Sequence, residues 1–140
     1  MRYRVLIPTL VLILSGCGGE AAAGSSPTED TRSPLAHGTW LVLNGKSSLV
    51  YIAFREDGTF VASYNSALKK PIDSGTWVLD ETELSLHSGP NSRYCPSRSG
   101  RYQIAFSDDQ SRVSLTEPGV DECSGRRGNF GPEWRRIEEG

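Results

Sequence analysis

Val50-Tyr51-Ile52-Ala53-Phe54-Arg55-Glu56-Asp57-Gly58-Thr59-Phe60-Val61-Ala62-Ser63-Tyr64 decides the fold. Successive side chains of a strand point to opposite faces, so Val50, Ile52 and Phe54 share one side of an extended segment. Glu56-Asp57-Gly58 supplies turn residues, and Phe60, Ala62 and Tyr64 alternate on the return. The stretch predicts a hairpin with one apolar face.

The same plan recurs twice downstream. Trp77 and Leu79 lead to a turn at Asp80-Glu81-Thr82, followed by Leu84 and Leu86. Tyr102, Ile104 and Phe106 lead to a turn at Asp108-Asp109-Gln110, followed by Val113 and Leu115. Trp40 and Val42 open the region and Trp134 closes it, giving about eight strands. No segment carries a sustained 3.6-residue apolar stripe, and the best site for a helical turn is Asp121 to Gly128. Eight strands with one apolar face leave exposed edges unless the sheet closes. The expected fold is therefore all-β, a small antiparallel up-and-down β-barrel, with a two-sheet sandwich as the alternative. A weak repeat supports the meander: glycine precedes an aromatic by two residues in Gly38-Thr39-Trp40, Gly75-Thr76-Trp77 and Gly100-Arg101-Tyr102.

Residues 38–140 form one expected domain, large enough for a single core. Ahead of it, residues 17–37 read as a flexible linker, since Gly18-Gly19-Glu20-Ala21-Ala22-Ala23-Gly24-Ser25-Ser26-Pro27 and its continuation to Pro34 hold no large apolar residue. Residues 1–16 have the parts of an export signal: Arg2 and Arg4, an apolar run from Val5 to Leu14, then the small pair Ser15-Gly16. That run is about half the length of a membrane-spanning helix. Its removal takes two of the 15 basic residues and leaves 13 against 17 acidic ones. An acidic mature chain argues against a nucleic-acid partner, which calls for a basic surface.

The residues offer little chemistry. His37 and His87 are about fifty residues apart, unlike the closely spaced ligands of a zinc site. The acidic residues gather at turns, where turn chemistry and solubility explain them. No phosphate loop or nucleophile elbow is present. The expectation is a binding protein rather than an enzyme, with no catalytic residue, metal or cofactor.

Leu14-Ser15-Gly16-Cys17 resembles the lipobox of bacterial lipoprotein signal peptides. The resemblance implies that Cys17 receives a diacylglyceryl group, often with a further acyl chain such as palmitate on its amine, and becomes the first residue of the mature protein. Two or more chains hold stably on a membrane. The implied location is the bacterial cell envelope, and Gly18 after the cysteine points to the outer membrane. With Cys17 lipidated, Cys95 and Cys123 remain as an even pair in an oxidising compartment and are expected to form a disulfide.

The domain resembles the lipocalin-like, or calycin, families, whose barrels begin with a Gly-x-Trp such as Gly38-Thr39-Trp40. More specifically, the stretch from Gly75 to Arg136 is similar to small bacterial lipocalin-like lipoproteins. It carries Gly75-Thr76-Trp77, Cys95-Pro96, Gly100-Arg101-Tyr102, Asp121-Glu122-Cys123-Ser124-Gly125-Arg126 and Trp134-Arg135. The resemblance implies a basic residue packed across Trp40, with Arg135 and Arg136 as candidates. It also implies a barrel interior that takes a small apolar ligand. Alternation places Trp40, Tyr64, Trp77 and Tyr102 on that inner face, as lining or as filled core. Arg126 has two readings, a ligand-gripping side chain at the barrel mouth or a partner of Asp121 that caps a turn, and the second is preferred. A different class of function is protein recognition, as in envelope inhibitors of lysozymes or proteases. The candidate loop runs from Gly89 to Ser99, with Arg93 and Tyr94 tied down by Cys95.

Overall fold

The computed structural model describes residues 33–46, 48–117 and 120–137. The signal segment, Cys17 and the linker up to residue 32 lie outside the described residues.

A 3-10 turn (Pro34–Ala36) precedes β1 (Thr39–Leu43), β2 (Val50–Phe54), β3 (Thr59–Ser63) and β4 (Asp73–Asp80). There follow β5 (Glu83–Ser88), β6 (Ser99–Phe106), β7 (Arg112–Glu117), a short helix α1 (Ser124–Asn129) and β8 (Glu133–Ile137). Each strand pairs antiparallel with the next, and β8 returns to β1 with Val42 opposite Trp134 and Trp40 opposite Arg136. β1 thus has a partner on both sides, so the strands form one sheet closing in a ring rather than two facing sheets. Closure removes the unpaired edges that an eight-stranded meander would otherwise expose.

Period-two alternation turns one apolar set inward. Trp40, Val50, Ile52, Ala62, Leu84, Val113 and Trp134 are all 0% exposed. A void able to hold water would register as accessible surface on its lining, so none borders these side chains. Burying each large one contributes about 1.5–3 kcal/mol. Trp77, Leu79, Phe106 and Leu115 also belong to the inward set but stay partly accessible.

The glycine repeat has steric causes. A Cβ on Gly75 would stand 2.0 Å from the His87 carbonyl oxygen on β5. On Gly100 it would meet the Asp121 carboxyl at 2.7–2.8 Å. Only a residue without Cβ permits either approach.

The ring has two unlike ends. Short turns at 55–58, 81–82 and 107–111 gather at one end, where β1 begins. Leu35 of the 3-10 turn is 0% exposed there and belongs to the core, so the folded unit starts ahead of Gly38. Its carbonyl accepts the Trp40 indole N–H at 2.9 Å. The Arg136 guanidinium lies 4.9 Å from the centre of the Trp40 ring and donates to the Pro34 carbonyl at 3.1 Å. Of the two arginine candidates, it is Arg136 that packs across the tryptophan. The connections β1–β2, β3–β4, β5–β6 and β7–β8 make the opposite, long-loop end.

Candidate functional site

A buried polar plug beneath the long loops positions everything at that end. Cys95, in the β5–β6 connection, is bonded to Cys123, with Cα atoms 5.6 Å apart. The expected disulfide is therefore present. Cys123 also caps α1, its sulfur accepting from the Arg126 amide at 3.4 Å, while its own amide donates to Asp121 Oδ1 at 2.7 Å. This is the helical turn expected over Asp121 to Gly128, placed a little later in the chain.

α1 carries Arg126 inward, where all five guanidinium protons find partners. Nε donates to Asp121 Oδ2 at 2.8 Å and Nη2 to Asp121 Oδ1 at 3.0 Å. Nη1 donates to Asp73 Oδ2 at 3.1 Å and to the Ser88 hydroxyl, and Nη2 also reaches the Arg98 carbonyl at 3.4 Å. Tyr102 donates its hydroxyl to Asp121 Oδ2, and Ser92 donates to Asp73 Oδ1 at 2.8 Å while accepting the Cys95 amide at 3.1 Å. The Arg126 side chain is 0% exposed. Of its two readings, the geometry matches the Asp–Arg pair, because no donor is left over for a ligand. Sequence reasoning missed Asp73, Ser88 and Ser92, since nothing local marks a residue as the partner of one 53 positions away.

Above this plug stands a surface the sequence separated into two sites. Alternation alone puts Tyr64 on the inner face, but β3 ends at Ser63. The Ser63 hydroxyl donates to the Lys69 carbonyl at 2.9 Å, and the Lys69 amide donates to Asn65 Oδ1 at 3.1 Å. These bonds fold the following residues into a loop, so Tyr64 leaves the alternation and is 43% exposed. It meets Tyr94, itself 44% exposed, from the disulfide-bonded loop. Partial desolvation and then the hydrogen bond with Tyr94 push the Tyr64 phenol above its ordinary 10.0, while Arg93 pulls the other way. Arg93 lies over the Tyr94 ring at 5.5 Å. The Tyr94 amide donates to the Ile72 carbonyl at 3.3 Å, fixing this loop to the base of β4.

The remaining aromatic candidates belong to the interior. Trp40 is fully buried; Tyr102 is 3% exposed, 6.0 Å from Phe130, with its hydroxyl on Asp121. Trp77 is half-buried towards the short-turn end, edge-on to Phe54 at 5.3 Å, its indole N–H on the Arg55 carbonyl at 3.0 Å. Phe130, unassigned from the sequence, is 2% exposed and meets Trp134 edge-on at 5.7 Å.

A separate groove of about 370 Å³ runs over the outer face of β4, β5 and β6. His87 Nδ1 lies 2.9 Å from the Ser99 hydroxyl there, and the two are register partners across β5 and β6. Adjacency in the sheet accounts for that contact.

Compared with known protein families, curated proteins and solved structures, the chain matches none.

Proposed function

We propose that this chain is a lipid-anchored lipoprotein of the bacterial cell envelope, facing away from the cytoplasm, whose domain is a small lipocalin-like β-barrel that binds a partner instead of transforming a substrate. The reading of the anchor rests on Leu14-Ser15-Gly16-Cys17, with Gly18 favouring the outer membrane. The reading of the barrel rests on the closed ring of strands and on Arg136 across Trp40.

One observation carries recognition through the loops: half-exposed Tyr64 lies against half-exposed Tyr94 and exposed Arg93, which stand on a loop held by a disulfide and a buried ion-pair network. Rigid aromatic side chains lose little entropy on contact with a partner, and tyrosine and arginine dominate interface energetics. A second reading, a small apolar ligand, draws on Trp77, Leu79, Phe106 and Leu115, which face inward yet stay partly accessible. Such a ligand would sit shallowly, because the deeper residues leave no water-sized space beside them.

The test is site-specific photo-crosslinking in the lipidated protein within a bacterial envelope. A crosslinker at Tyr94 should give a defined protein adduct, which a crosslinker at Asp80 on the opposite end does not. Equal adducts from both positions would sink the loop reading. Release of a stoichiometric apolar molecule on organic extraction, with no adduct, would favour the second reading. For the anchor, Cys17→Ser should abolish membrane partitioning once the signal is removed.

A further inference from the structure

Charge is sorted between the two ends of the ring. The short turns and the strand ends beside them carry Glu56, Asp57, Asp80, Glu81, Asp108 and Asp109, all exposed, against Arg55 and Arg112, of which Arg112 is paired with Glu133 at 3.1 Å. Among the described side chains, the long loops carry Lys46, Lys69, Lys70, Arg93, Arg98 and Arg127, all exposed, against the exposed carboxylate of Glu122. That carboxylate already accepts the Ser99 amide at 3.0 Å. A chain that is acidic overall thus presents one face whose exposed, described side chains are mainly basic. The same face gathers apolar surface: of the six exposed large apolar side chains among the described residues, Leu43, Leu49, Tyr64, Tyr94 and Val120 lie there, and Val78 does not.

We infer that the long-loop end docks an acidic polypeptide segment, with its carboxylates on the lysine and arginine ring and its apolar side chains against Tyr64, Tyr94, Leu43 and Leu49. The inference rests on the loop-recognition reading and supplies the chemistry of the partner. Complementary charge steers encounter and sets specificity, while aromatic and arginine contacts in the centre supply the energy. Two other anions are separated by experiment. A polysaccharide offers no aliphatic side chain to the exposed leucines and Val120, and an anionic bilayer is distinguished from a polypeptide by competition with vesicles.

The experiment uses the full lipidated chain in neutral-detergent micelles and a fluorescein-labelled peptide of repeating Glu-Leu-Glu, read by fluorescence anisotropy. The peptide should bind saturably and more tightly as salt is lowered. The pair Lys69→Glu and Lys70→Glu should weaken it about tenfold or more, whereas Glu81→Lys with Asp108→Lys should not weaken it. Tyr94→Ala should weaken binding at every salt concentration. Because the exchanged lysines are exposed, a thermal melt unchanged from wild type separates lost binding from lost folding. Absence of saturable binding, an equal loss from the short-turn variants, or equal competition by phosphatidylglycerol vesicles or polygalacturonate each overturns the inference. If the peptide fails while crosslinking at position 94 still yields one partner, acidic docking falls and loop recognition stands.

Discussion

Arg126 and Asp121 meet as a two-pronged ion pair, Nε to Oδ2 at 2.8 Å and Nη2 to Oδ1 at 3.0 Å, with both side chains fully withdrawn from solvent. Asp73 stands on the far side of the same guanidinium, so one cation serves two buried carboxylates. Removing one partner of a buried pair leaves the other without compensation, at a cost of about 3–5 kcal/mol. Arg126→Met should destabilise by that order in chemical denaturation. Arg126→Lys should recover only part of it, because an ammonium cannot reproduce the planar fork. A variant with wild-type stability would mean that the network is dispensable.

Gly100 and Gly75 should tolerate no methyl group. At Gly100 the new Cβ would stand 2.7 Å from Asp121 Cγ and 3.0 Å from Arg126 Nη2, so Gly100→Ala should lose about 1–3 kcal/mol. Gly75→Ala should lose more, since the atom in its way at 2.0 Å is a backbone carbonyl on a paired strand. Gly89→Ala, whose nearest neighbour would be 3.6 Å away, serves as the control and should melt close to wild type.

The disulfide closes a 28-residue separation, worth about 3–4 kcal/mol in the chain-entropy account. Cys95→Ser and Cys123→Ser should each lose about that much, and the double variant should lose no more than either. Amide exchange at Tyr94 should quicken in all three, because its bond to the Ile72 carbonyl depends on the clamped loop. Additive losses would show that the sulfurs act separately.

Acid should loosen the β6–β7 turn late. The Ser107 hydroxyl, then the Ser111 amide and hydroxyl, hold the Asp109 carboxyl at about 2, down from 3.8. A depressed pKa means the ionised form favours the folded state, so its contribution is complete above 3.8 and disappears as pH falls through about 2. Proton NMR of the Ser111 amide should report a transition near that lower value, absent in Asp109→Asn. A midpoint near 3.8 would show that the turn does not grip the carboxylate.

The hairpin alternation was legible because each strand buries one face, and period two survives in Val50, Ile52 and Phe54 without help from distant residues. Ring closure was inferable only from the penalty on open edges, since nothing local in Trp40 or Arg136 names the other as its strand partner. Tyr64 continued the pattern on paper, but hydrogen bonds from Ser63 and Lys69 end the strand first. Arg126 and Asp121 were visible as neighbours, whereas Asp73 reached them by topology alone. Leu35 carried one usable signal, as the first large apolar residue after Leu14, inside the stretch read as linker. The meeting of Tyr64 with Tyr94 had none, because it depends on how two loops from different hairpins lean together.

The pairing of β1 with β8 also dictates an order of events during synthesis. Seven of the eight strand contacts join neighbours in sequence and can form as the chain emerges, but the seam between Trp40 and Arg136 joins the first strand to the last. The first strand must therefore keep one hydrogen-bonding edge open until β8 has been made. Non-local pairing of this kind slows folding and leaves an adhesive edge waiting in the meantime. A nascent chain lacking its last ten residues would hold most of its hairpins and still be unfinished, so the C-terminal strand is the latch whose arrival completes the fold.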